Sequence, residues 1–130
     1  MSAIRTEVLV MRIIPTRIHG VLDYLIGALI AVSPWLFGFA DGGTSTWIHL
    51  AIGGGIILVA ALTNFEFGVV RVIPMPAHLM LDGGLGVLAL ASPWLFGFSA
   101  FVGLHVALGI FLIAAALMTS TRPAVRAIRA

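Results

Sequence analysis

Two His-x-x-x-Asp pairs, His19 with Asp23 and His78 with Asp82, are the residues of this sequence best suited to chemistry. A spacing of four puts imidazole and carboxylate on one helix face, a turn apart. Inside an apolar span such groups are costly, and they mark proton-handling or ion-binding sites. Arg12, Arg17 and Arg71 lie near them in sequence, and Arg12 and Arg71 are expected to join the same polar cluster. The competing reading is interfacial: close to a membrane surface, water and Arg satisfy such groups, and charge costs much less there. Histidine with carboxylate also suits several divalent ions, but nothing in the spacing selects one, and no metal is expected.

His49 and His105 form a second set. Two histidine pairs at two depths suggest axial ligation of b-type haem, with neighbouring glycines making room for a porphyrin. The plainer role is hydrogen bonding near an interface, and no cofactor is expected. The chain has no cysteine, which excludes thiol catalysis and disulfides. It carries no nucleophile–base arrangement, phosphate loop or dinucleotide fingerprint, so no catalytic residue is assigned and no enzymatic activity is expected.

The elements that must position these residues are read from composition. Of 130 residues, 61% are hydrophobic and 9% charged, with a mean hydropathy of +1.17. A soluble domain is about 25% charged, and one this small could not hide so much apolar surface. The bilayer is therefore the first expected partner. The high pI reflects seven basic residues and a net charge of only +2. All seven are Arg outside the apolar runs, a topology signal and not a nucleic-acid patch.

The chain repeats itself. Ser33-Pro34-Trp35-Leu36-Phe37-Gly38-Phe39 returns as Ser92-Pro93-Trp94-Leu95-Phe96-Gly97-Phe98, 59 residues later. Glu7, Val10, Arg12, Pro15, His19, Asp23 and Gly27 recur at that offset. Beyond the heptapeptide the offset falls to 56, pairing His49 with His105, Gly53 with Gly109 and Thr63 with Thr119. The expected organisation is one membrane domain, 1–130, with repeat 1 at 7–64, repeat 2 at 66–120 and a tail at 121–130. The first apolar run recurs in repeat 2 without a small-residue cleavage site after it, so it is expected to remain in the mature chain.

The doubled, extended Ser-Pro-Trp motif resembles the SPW-repeat family of small bacterial membrane proteins, over nearly the whole chain. That resemblance implies a membrane location and helix-pair repeats, and it brings no catalytic residue with it.

The predicted fold is all-α: four transmembrane helices, Ile18–Phe39, Ser45–Asn64, Ala77–Phe98 and Ala100–Ser120, as two parallel-repeat helix pairs. About 20 residues at ~1.5 Å each cross the ~30 Å hydrocarbon core. Arg5, Arg12, Arg17, Arg71, Arg122, Arg126 and Arg129 all fall on one side, while the opposite turns carry only Asp41. The positive-inside rule then puts both termini and the central linker in the cytoplasm of a bacterial inner membrane. His19 and His78 are expected at equal depth about a pseudo-twofold axis.

Pro34 and Pro93 should end or bend their helices, Ser33 and Ser92 helping to satisfy freed carbonyls, with Trp35 and Trp94 as outer interfacial anchors. Gly27-x-x-x-Ala31, Ala51-x-x-x-Gly55 and the stripe Gly83, Gly84, Gly86 are expected at close helix crossings. Glu7–Ile14 and Phe65–Ile73 read as short interfacial helices. Functionally, the sequence points first to a structural or accessory membrane protein, packing as a homo-oligomer or within a larger complex. A small transporter or proton conduit using the His–Asp pairs comes next, and a haem-bearing electron carrier after that.

Overall fold

The computed structural model describes residues 12–99 and 101–124, and these form a helical bundle. Helices α1 (Thr16–Leu36), α2 (Thr44–Ala61), α3 (Met75–Leu95) and α4 (Val102–Met118) follow in chain order. The first three are long and apolar enough to cross a membrane, and α4 is an apolar helix of 17 residues. Helix α1 packs chiefly on α2 and α3 on α4, with a lighter contact between α2 and α3. Leu25, Leu29, Met80, Val87 and Ile110 are exposed on the outside, as lipid-facing residues must be.

Each hairpin closes at a glycine, though not at every glycine the sequence suggests. A Cβ on Gly53 would stand 2.5 Å from both Ala31 N and Gly27 O, and one on Gly109 would stand 2.6 Å from Gly86 O. Backbones meet backbones here, which is how membrane helices gain dispersion contact. Gly83 and Gly84, in contrast, face open space, and Ala51 is exposed. The useful small residues are thus Gly27, Ala31 and Gly53 in repeat 1, and Gly86 and Gly109 in repeat 2.

The heptapeptide makes the helix end. Proline at 34 offers no N–H to Ile30 O, and Ser33 Oγ donates to that carbonyl instead, at 2.7 Å. Ser92 Oγ does the same for Ala89 O, freed by Pro93, at 2.8 Å. Gly38 and Gly97 then turn left-handed (φ +74° and +68°), and the N–H groups of Phe39 and Phe98 reach back to the Pro34 and Pro93 carbonyls. That is a Schellman-type stop, and glycine is the residue that enters it without a Cβ penalty. It ends α1 and α3 at Leu36 and Leu95, three residues short of the predicted Phe39 and Phe98. Trp35 and Trp94 stay exposed at this end.

Around Asp41 the first turn is tied by hydrogen bonds from Gly43 N (2.8 Å) and Thr46 Oγ1 (3.2 Å), which hold its carboxyl below the usual carboxylate range. The shorter second turn places Phe101 in the left-handed region at φ +59°.

At the Arg-bearing end the interfacial-helix expectation fails. Phe65–Ile73 is turn and bend, residues 12–14 are not helical, and Glu7–Met11 lie outside the described residues. The physical reason is the carbonyls left open at the end of α2. Val69 and Val70 N–H groups donate to Ala61 O, and those of Val72 and Ile73 donate to Leu62 O. A linker spent in this way cannot also bond to itself as a helix.

The segment before α1 makes the matching contacts with the other repeat: Ile14 N donates to Met118 O and Ser120 N to Ile14 O. Isolated bridges Ile14–Thr119 and Thr63–Ile73 result, equivalent under the repeat. Glu66 fastens the linker by accepting from Thr16 Oγ1 at both oxygens, 2.7 and 2.8 Å, and from Ala124 N at 3.1 Å. Partial burial acts to raise its carboxyl, but these bonds outweigh it and hold the group below the usual range.

Gly53→Ala and Gly109→Ala should each destabilise the bundle by about 1–3 kcal/mol through overpacking, whereas Gly54→Ala, facing open space, should be neutral. Thermal unfolding in mild detergent checks this, and equal melting of the three variants would rule out the close crossings as a source of stability.

Candidate functional site

The first two turns of α1 and α3 bring the two His-x-x-x-Asp pairs together at the repeat axis. None of His19, Asp23, His78 and Asp82 is more than 4% exposed. His19 Nε2 lies 2.8 Å from Asp82 Oδ2 and 3.3 Å from Asp23 Oδ1. His78 Nε2 lies 3.0 Å from Asp23 Oδ2 and 3.0 Å from Asp82 Oδ2. The two Nε2 atoms are 3.2 Å apart. Each repeat thus contributes one imidazole and one carboxylate, and each imidazole touches the carboxylates of both.

The far side of each ring is fixed. Thr119 Oγ1 donates to Ala115 O at 2.6 Å, so toward His19 Nδ1, 2.7 Å away, the hydroxyl must accept. Thr63 Oγ1 likewise donates to Val59 O at 2.6 Å and accepts from His78 Nδ1 at 2.8 Å. Both Nδ1 atoms therefore carry a proton, an assignment drawn from the hydrogen-bond network. In a neutral ring Nε2 is then a lone pair, and it faces two carboxylates and a second lone pair. Acceptors gathered this tightly repel unless positive charge lies among them. Asp23 Oδ2, off the hydrogen-bond direction of His78, and Asp82 Oδ1 are buried without a hydrogen-bond partner among the described residues.

Arg does not reach this cluster and its four side chains are buried from the surface, unlike the arrangement the interfacial reading expects. Arg12 Nη1 donates to Thr119 O at 2.7 Å, one residue removed from the quartet. Arg71 is exposed and turns its Nε toward Gly68 O at 3.5 Å, and Arg17 is exposed. The cover is Phe65, fully buried, whose ring lies over His78 at 6.0 Å between centroids and occupies the place of a Cβ on Gly20. Tyr24, whose hydroxyl donates to Phe67 O at 2.9 Å, packs beside it. Sequence reasoning missed Phe65 and Gly20, which have no counterpart in repeat 2. Thr63 and Thr119 were visible only as a repeated pair.

His49 and His105 meet at the other end of the bundle, their rings edge to face at 4.4 Å. Each Nδ1 donates to the carbonyl one turn back, Ser45 O at 2.7 Å and Phe101 O at 3.1 Å. The last residue of each heptapeptide packs on them, Phe39 on His49 at 4.8 Å and Phe98 on His105 at 4.9 Å. A cavity of about 390 Å³ between α1 and α4 ends at this pair and is lined, apart from Ser33, by apolar residues, among them Ile30, Phe37 and Phe111. The rings of each histidine pair are in contact (His19 and His78 at 5.3 Å between centroids), an arrangement with no place between them for a porphyrin held by both.

Fold and site together define a helical membrane protein built of two helix-pair repeats that share one buried His–Asp centre. The chain matches the SPW repeat domain family over residues 17–119 and belongs to it. No curated protein and no solved structure matches the chain.

Phe65→Ala should open the quartet to water. Diethyl pyrocarbonate should then modify His78 several-fold faster than in the parent protein, read by mass spectrometry, and an unchanged rate would show that Phe65 is not the cover.

Proposed function

We propose that this is a small membrane protein of accessory type, without catalytic activity of its own, whose working element is a cation-binding centre formed by His19, Asp23, His78 and Asp82. The observation that carries the reading is the convergence of two carboxylates and two Nε2 atoms in a buried site, with both Nδ1 protons committed to threonines. The centre carries two negative charges when its rings are neutral, and burying that charge is expensive until cations offset it.

A through-conduit draws less support. Between the quartet and the His49–His105 pair lies a packed apolar layer of Ile30, Ile52, Ile56, Ala89 and Leu112. Binding near one end fits this better than passage. Packing as a homo-oligomer or within a larger membrane complex is compatible with the exposed apolar exterior, which lipid covers equally well.

The positive-inside rule supports a cytoplasmic Arg-bearing end in a bacterial inner membrane, with the centre about 10 Å or less inside α1 and α3 from that end. Asp41→Cys in the otherwise cysteine-free chain should react with a membrane-impermeant maleimide added outside intact cells. Labelling only after lysis would reverse the orientation.

The cation reading is tested by thermal unfolding in mild detergent across pH, and with and without divalent metal. The melting temperature of the parent protein should respond to cation supply, as proton or as metal, and that of Asp23→Asn/Asp82→Asn should lose the response. Identical responses of the two proteins to both pH and metal would refute it.

A further inference from the structure

The quartet holds a proton inventory that is hard to close with protons alone. With both Nδ1–H groups donated to threonine, two further protons would be needed to neutralise the two carboxylates. Placing one on each Nε2 gives each N–H a carboxylate oxygen at 2.8–3.0 Å but crowds two cationic rings to 3.2 Å between their nitrogens. Placing one on a carboxyl and one on a ring removes that clash but still leaves an imidazolium facing a carboxylate in an apolar span. A single divalent ion neutralises both carboxylates at once and uses both lone pairs, leaving a centre of zero net charge in a span where charge is costly.

Distances agree. Four ligands at 2.0–2.1 Å in a tetrahedron stand about 3.3 Å from one another. The nitrogen–nitrogen and nitrogen–oxygen separations here run from 2.8 to 3.3 Å, those to Asp23 shared between its two oxygens; taking one ligand atom from each residue, the set spans up to 4.8 Å, so an ion would draw its widest pair inward. Two imidazoles in the set favour a borderline transition metal over magnesium or calcium, which take oxygen ligands. The Nδ1–H···Oγ1 contacts are the outer-sphere support that metal-bound histidines require, fixing tautomer and ring orientation.

We propose that the quartet binds one divalent first-row transition-metal ion of the zinc class, through His19 Nε2, His78 Nε2 and one oxygen each of Asp23 and Asp82. This deepens the cation-binding reading and rests on it. Thr63 and Thr119 act as positioning residues, Phe65 excludes water from the ion, and the site takes two ligands from each repeat, so neither repeat binds the ion alone.

The test uses the full chain in mild detergent, stripped with a chelator and titrated with Co²⁺, then with Zn²⁺ in competition against a chelating indicator. Expected are the intense visible absorption of four-coordinate Co²⁺, its loss on adding Zn²⁺, and one ion per chain by elemental analysis. Thr63→Val/Thr119→Val should weaken Zn²⁺ affinity about 10–100-fold, with recovery in Thr63→Ser/Thr119→Ser. Absence of both the Co²⁺ spectrum and retained Zn²⁺ in the parent protein would overturn the proposal. The cation-binding reading would survive that result if the melting temperature still followed pH through Asp23 and Asp82, and would fall with it otherwise.

Discussion

The bundle depends on one constraint: two carboxylates and two imidazoles are held out of water at the point where its two halves meet. Such groups in an apolar surrounding cost several kcal/mol each unless they are paired. Here the pairing is not confined to either repeat. His19 makes its shortest carboxylate contact with Asp82, and His78 lies as close to Asp23 as to its own helix partner. Separation of the hairpins would break the contacts between the repeats, those of both rings with threonine included, so the polar centre works against any arrangement in which the repeats do not face each other in register. Apolar helices surrounded by lipid have no comparable preference from hydrophobicity alone.

The other features serve that contact. Glycine crossings bring α1 onto α2 and α3 onto α4, while Thr63 and Thr119, just past the ends of α2 and α4, reach across to the far nitrogens of the rings on α3 and α1. The Ser-Pro stop ends the helices at the opposite side and swings a phenylalanine beneath each of the other two histidines. A motif conspicuous for its tryptophan thus does its structural work through serine, glycine and the final phenylalanine, while the indoles face outward.

Much of this was legible in the sequence. Helix number, repeat registry and the serine compensation for proline follow from spacing and from the backbone's need to satisfy its own polar groups. The depth of His19 and His78 could be read, but not their direction, because a four-residue spacing fixes only that two side chains share a face. Whether that face meets water, Arg or another helix depends on packing, and the nearby Arg residues were a misleading guide. The linker was misread for a related reason. Its mixture of apolar and charged residues resembles an amphipathic helix, yet the open carbonyls of Ala61 and Leu62 recruit its N–H groups first. Glycine at position 20 was unremarkable until Phe65 was seen to occupy its face.

The pairing of Ile14 with Thr119 and of Ile73 with Thr63 has a topological consequence. Each repeat's leading segment is hydrogen-bonded to the helix that precedes it in a cyclic order, the first to the last as well as the second to the first. In wiring, the chain is a ring of two identical links with one peptide connection left open. Either link could therefore come first, and a half-length ancestor could have closed the same ring by associating with a second copy of itself.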